Sequence, residues 1–406
     1  MSFISEQLEK RKLPPLGFEG RDPEERRKEL VDTLSEHIYG RTPDFDSKVS
    51  AKVTYAHHDC FAGHAKHFHY DLTVTTPGGD FTFPLKLSYP KSDKKVPLIV
   101  SISFDPLIPS GFTPDEEICA KGVALAKFVY TDVAADRYDD CKEGVAALFP
   151  RKEGARDLWG KIGMWAWAAS RALDFLLTLD LFDPERIAVE GHSRLGKTAL
   201  WCGAQDTRFR YVFSNNAGCS GDAITRGKKG EDIGYITKTF GYWFCDRYKD
   251  YAGDGIEKMP FDQHWLIAAS APRHVAVGAS SLDEWADPES ENLCCAAASP
   301  AWEAFGKPGG QVCRCRRVLL GRLRRVPQPR RGAQPVPCGL ESLYGHNSFI
   351  NKTLKAGDKR HASRFSLFLH AFSDRSQNQR NIQKYDIYLS IITKSYIASV
   401  TGSLHG

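Results

Sequence analysis

A three-layer α/β fold, with a mainly parallel sheet covered by helices on both faces, is what three features of this 406-residue sequence predict. Short apolar runs that read as buried strands alternate with helical runs from residue 96 to residue 280. An antiparallel hairpin precedes that alternation. One strand, at 187–190, passes through a glycine-flanked turn directly into a helix, the unit from which parallel sheets are built. Hydrophobic residues make up 42% and charged residues 26%, as in an ordinary globular chain, and the length allows a large core.

Residues 23–39 (PEERRKELVDTLSEHIY) predict an amphipathic helix, because Leu30, Val31, Leu34 and Ile38 share one face. Residues 65–89 predict the hairpin, with HFHYDLTVTT and FTFPLKLSY flanking the turn Pro77-Gly78-Gly79-Asp80. VPLIVSISF, ending at Phe104, and VALAKFVY (123–130) are apolar enough for strands buried on both faces. Residues 159–180 predict a long helix carrying Trp165 and Trp167. YVFSNN (211–216) and HVAVGAS (274–280) complete the strand series.

The most informative run is IAVEGHSRLGKTAL (187–200). It is a G-x-S-x-G arrangement with one extra residue before the second glycine. A serine on a tight strand-to-helix turn has an exposed hydroxyl and needs small neighbours where the backbone crosses close by. The turn also points the first N–H groups of the helix at whatever the hydroxyl attacks. Ser193 is therefore the expected nucleophile, and the N–H of Arg194 an expected oxyanion donor with one more from the loop after Phe104. The Arg194 side chain adds a fixed positive charge beside the nucleophile; the bland reading of that charge is a surface salt bridge.

At GHSRLGK the chain resembles the glucuronoyl esterase family of carbohydrate esterases, whose nucleophile motif is G-[CH]-S-R-x-G, and it looks most like the bacterial branch. WGKIGMWAWAASRALDF, SNNAGCSGDAITRGKKGE, MPFDQHWLIAASAPRHVAVGASSLDEWADPE and SPAWEAFGKPG carry the same resemblance over about residues 15–309. The resemblance implies a three-layer α/β-hydrolase sandwich and cleavage of esters between 4-O-methyl-glucuronic acid on xylan and lignin alcohols, without a metal or other cofactor. It also implies that Lys197 binds a sugar hydroxyl and that Trp285 stacks on the sugar ring. The plain alternatives are a solvated helix lysine and a half-buried core tryptophan.

The acid departs from the fungal pattern, where a glutamate follows the next strand in a run like S-Q-E-S-G. Here Asn216 occupies that place, and an amide can orient an imidazole without stabilising its positive charge. Asp283, with Asp287 as the alternative, follows strand 274–280, where many α/β-hydrolases keep their acid. Both carboxylates also sit where they would cap the following helix. The base should come later still, which leaves His346 as the first choice and His361 as the alternative. His264 reads as structural, and His192 as pointing away from its neighbour.

His57, His58, Cys60, His64, His67 and His69 crowd thirteen residues, but their spacing matches no metal-site shape, and His67 and His69 read as exposed residues on one strand face. The chain changes character near Gly309, giving a hydrolase domain at 1–309 and an atypical segment at 310–406, either disordered or translated out of frame. Eight arginines between Arg314 and Arg331 outweigh the whole net charge of +5, so the basic balance belongs to that segment alone. Without interleaved aromatics it does not read as a nucleic-acid tail. The expected partner is a carbohydrate ester, with no nucleic acid, no membrane and a monomeric state. Eleven scattered cysteines and a charged first twenty residues predict a cytoplasmic protein, although a longer N-terminus would open secretion.

Overall fold

A computed structural model of the chain describes residues 3–107, 114–149, 152–280 and 282–308. Eight strands form one sheet in the order β1-β2-β3-β5-β4-β6-β7-β8. They are β1 (Lys48–Cys60), β2 (Ala65–Thr76), β3 (Gly79–Pro90), β4 (Val96–Ser103), β5 (Ala124–Val129), β6 (Phe182–His192), β7 (Tyr211–Asn215) and β8 (His274–Gly278). The first three and the β3–β5 contact are antiparallel, and β5, β4, β6, β7 and β8 run parallel. Every residue of β4 is buried, as expected of a strand covered on both faces.

The helices are α1 (Phe3–Arg11), α2 (Pro23–Leu34), α3 (Asp115–Ala120), α4 (Tyr130–Val133), α5 (Lys161–Thr178), α6 (Arg194–Gln205), α7 (Ile233–Phe240), α8 (His264–Ala268), α9 (Pro288–Ala298) and α10 (Pro300–Ala304). Asp22 caps α2 by accepting from the Glu25 N–H, and Ser35–Tyr39 continue that helix as a wider turn, so the predicted helix at 23–39 forms throughout. None of the described helices is long and apolar enough to cross a membrane.

Trp165, Trp201, Trp302 and Tyr39 are among the largest fully buried side chains. Tyr39 stacks on Trp201 at 4.7 Å, which ties the N-terminal segment to α6. Strand β1 was not predicted. It is the sheet edge and is exposed along most of its length, although Val49, Ala51, Val53 and Tyr55 alternate with polar residues along its first half. Chain order places β5 on one side of β4 and β6 on the other. Such a reversal marks the carboxyl ends of these strands as the usual ligand position in open parallel sheets.

Candidate active site

Strand β6 ends at His192 and α6 begins at Arg194, leaving Ser193 alone in the bend with φ 57° and ψ −122°. A non-glycine residue held there costs roughly 1–3 kcal/mol, which its surroundings must offset. The Ser193 N–H donates to the Asn215 carbonyl at 2.8 Å, and the Ser193 carbonyl accepts from the Lys197 N–H at 3.1 Å. A Cβ on Gly191 would lie 2.1 Å from the Leu195 carbonyl oxygen. One on Gly196 would lie 3.0 Å from Ser214 Oγ and 3.2 Å from Ala217 Cβ. The second glycine therefore belongs where α6 crosses β7, which accounts for its extra residue of spacing. Ser193 is partly exposed and its hydroxyl does not cap α6. His192 turns aside, with Nδ1 2.8 Å from the Asn215 amide nitrogen and its ring against Phe104.

Arg194 is not a surface ion pair. Its Nη1 donates to Asp136, and its guanidinium lies 4.9 Å from the Trp243 ring centre, 5.7 Å from Phe104 and 5.8 Å from Phe240. Asp136 also accepts from the Tyr130 hydroxyl at 2.9 Å, the Tyr242 hydroxyl at 3.2 Å and Trp243 Nε1 at 2.7 Å. Burial, reinforced by this carboxylate, pushes the Tyr130 and Tyr242 phenols up to about 12. The Arg194 Nε is buried and has no hydrogen-bond partner among the described residues.

One turn along α6, Lys197 is buried rather than solvated, which corrects the plain reading of that lysine. Its Nζ donates to the Ala217 carbonyl at 2.6 Å and lies 3.9 Å from Glu231. Asp136 and Glu231 were missed by sequence reasoning. The GKKGE run before α7 was the available signal for Glu231; Asp136, which follows α4, had none in its neighbourhood.

On the other side of the bend, Asn216 follows β7 in a left-handed conformation, with φ 47°. Its amide does not orient an imidazole within the described residues. Oδ1 accepts from the Ser280 N–H at 2.9 Å, and Nδ2 donates to Asp283 Oδ2 at 3.3 Å. The other Asp283 oxygen accepts from the Ala286 N–H at 3.3 Å, and the carboxylate stays partly exposed. Asp287 is buried and acts as the cap of α9, accepting from the Ser290 N–H and hydroxyl and from the Lys229 N–H. Burial would raise its pKa, but the bonds from Ser290 and Lys229 outweigh that and hold it below the ordinary aspartate value. Behind this loop, Asp222 and Glu291 are fully buried together and both receive the Gly218 N–H. Burial first, and then the Asp222 charge, push Glu291 well above the usual carboxylate range.

Trp285 is 50% exposed and meets Tyr235 edge to face at 5.0 Å, so the reading of it as a core residue is corrected. Its backbone carbonyl accepts from Lys228 Nζ and the Glu231 N–H. His264 is buried, with Nε2 2.9 Å from the Pro14 carbonyl oxygen, as a structural residue should be. His67 is also buried, contrary to expectation: its Nδ1 lies 2.8 Å from Ser88 Oγ and its Nε2 2.8 Å from His69 Nε2. Its face of the sheet packs under α3, where Ser88 reaches Asp115. Among the described residues, no group of three or more His, Cys, Asp or Glu is arranged to hold a metal ion. His346 and His361 lie outside the described residues, as does the arginine-rich segment.

The family described as "Glucuronyl esterase, fungi" matches residues 72–306. A carbohydrate esterase of an unknown prokaryotic organism is 39% identical over 197 residues, covering 48% of this chain and 45% of that protein. A 4-O-methyl-glucuronoyl methylesterase of Phanerochaete carnosa is 29% identical over 254 residues, covering 59% of each. The chain thus spans about half the length of the curated relatives it matches. Among solved structures, the glucuronoyl esterase from Solibacter usitatus superposes with a TM-score of 0.64 at 32% identity, covering 70% of this chain and 81% of that one. A promiscuous CE15 esterase from the marine bacterial metagenome gives the same TM-score at 28% identity, covering 70% and 80%. The bend that carries Ser193, the sheet that carries the bend and these likenesses agree: the chain belongs to the glucuronoyl esterase family, on the α/β-hydrolase fold.

Proposed function

We propose that the protein is a serine carboxylester hydrolase for 4-O-methyl-glucuronoyl esters of plant cell-wall carbohydrate. The observation that carries this reading is the partly exposed Ser193 hydroxyl on a strained bend, with a caged guanidinium next to it. Ser193 Oγ attacks the ester carbonyl and gives its proton to a histidine, His346 or alternatively His361. Asp283 stabilises the imidazolium that forms. The Arg194 N–H and one from the loop after Phe104 receive the oxyanion, and the buried Arg194 Nε–H is a further donor. The alcohol leaves with the proton from the histidine, and water then releases the uronate from the serine.

An esterified uronate carries no charge on its carboxyl until it is attacked. The Arg194 cation is therefore worth more in the transition state than in the bound ester, which raises kcat rather than only tightening binding. Lys197 and Glu231 suit sugar hydroxyls, and the exposed Trp285 ring suits the C–H face of a pyranose. An acetyl ester is the alternative substrate that replacement of the fungal glutamate by Asn216 would suit, but the hydrogen bond from Asn216 to Asp283 supplies another reason for that residue.

Rates on benzyl glucuronate and p-nitrophenyl acetate test the proposal. Preference for the uronate ester, abolished in Ser193→Ala, is the expected result. The reverse preference would point to acetyl esters, and cleavage of neither would remove the hydrolase reading.

A further inference from the structure

We infer that Asp136 is a positioning residue that acts through Arg194, an inference that rests on the esterase reading above. Four donors reach Asp136: the Tyr130 hydroxyl, the Trp243 indole N–H and Arg194 Nη1 on the carboxylate, and the Tyr242 hydroxyl shared between the carboxylate at 3.2 Å and the Asp136 backbone carbonyl at 3.1 Å. A carboxylate has about four acceptor positions, so these donors occupy most of them and hold both oxygens in one orientation. The aromatic donors reach it from α4 and from the segment after α7, so two separately built pieces of the fold set its place.

A guanidinium is a rigid planar fork, and fixing one nitrogen fixes the directions of the others. With Nη1 on Asp136 and three rings around the plane, the remaining donors of Arg194 cannot turn to another acceptor. Its Nε–H is buried without a hydrogen-bond partner among the described residues, on the residue that follows the nucleophile. A buried donor in that state gains most from an oxygen whose negative charge grows during reaction. Asp136 touches no reacting atom. It keeps Arg194 preorganised, so that no reorientation is needed when the oxyanion appears.

The test is a double-mutant cycle on a glucuronate ester with Asp136→Asn, Arg194→Ala and the pair. Asn keeps the size of the residue but offers one acceptor oxygen in place of two. Asp136→Asn is expected to lower kcat on the order of 10²-fold with KM nearly constant. Added to Arg194→Ala it is expected to cost little more, because the residue it acts through is already gone. Full additivity of the two losses, a change in KM alone, or an unaltered kcat each overturns the inference. If Asp136→Asn does not fold by thermal melting, Tyr242→Phe removes one of the four donors and carries the same cycle, with a smaller loss confined to the Arg194 background. Failure of the unaltered protein to cleave the ester would instead remove the esterase reading, which separates the two failures.

Discussion

Strands β2 and β3 and strands β6 to β8 belong to one sheet, yet they do not treat all their polar residues alike. The antiparallel half carries a crowd of histidines, and the buried one, His67, is turned to Ser88 and His69 in a closed set of contacts. In the parallel half Ser214 is likewise turned inward to Asp222, but the Ser193 hydroxyl, in the bend after β6, is not used to cap its own helix. Parallel strands end at the same edge of the sheet, so the loops after β4, β5, β6, β7 and β8 meet, bringing Phe104, Asp136, Ser193, Asn216 and Asp283 from distant parts of the chain. A hairpin sends alternate residues to opposite faces and its turns to opposite ends, so even six metal-type residues in thirteen do not converge. Site chemistry here follows loop convergence, not local density of reactive residues.

The sharpest way to break this contrast is Ser193→Ala, expected to lower kcat by about 10⁴–10⁶-fold with the fold retained by thermal melting. Residual turnover near the original rate would place the nucleophile elsewhere. Next in size, Asp283→Asn should cost about 10³–10⁴-fold in kcat. Asp287→Ala, a few residues away, should leave kcat alone and lower stability by about 1 kcal/mol, as loss of a helix cap does. If the two variants exchange these effects, the acid has been misplaced. Trp285→Ala should raise KM roughly 2–10-fold on the sugar ester with kcat held, the scale of a lost aromatic contact. A fall in kcat at constant KM would speak against stacking.

The last effect lies away from the site and leaves activity untouched. His67 and His264 are pushed down to about 4, in each case by burial first, so both rings stay neutral in the folded protein where an unfolded chain would protonate them. Between about 6.5 and about 4 the unfolded state therefore binds more protons. Stability is present above that window and is lost as pH falls through it, by up to about 1.4 kcal/mol per pH unit for each ring. Chemical denaturation across this range should show the slope, and His67→Gln should reduce it. An unchanged slope would assign the acid sensitivity to carboxylates.

Much of the fold was legible because burial writes itself into composition. Strand β4 is apolar throughout since both its faces are covered, and the hairpin was visible in Pro77-Gly78 between two alternating runs. Strand β1 alternates as well, but as an exposed edge it buries little of that pattern, and Val53 and Tyr55 lie open to solvent. Ser193 was legible for a different reason: the bend needs glycines at fixed offsets, and steric exclusion is local. Asp136 was illegible, since nothing near it in the chain shows that Tyr242 and Trp243, more than a hundred residues on, will donate to it.

By itself the sequence determined the alternation of strands and helices and the position of the strained bend, both consequences of short-range sterics and hydrophobic period; the family resemblance rested instead on the GHSRLGK motif and the runs around it. Tertiary structure alone decided that Asn216 holds Asp283, that Asp287 is a helix cap, that Lys197 is buried and that Arg194 lies in an aromatic cage around Asp136. Those outcomes depend on which loops share an edge of the sheet. Strand order is set by the packing of the whole core, and no window of neighbouring residues contains it.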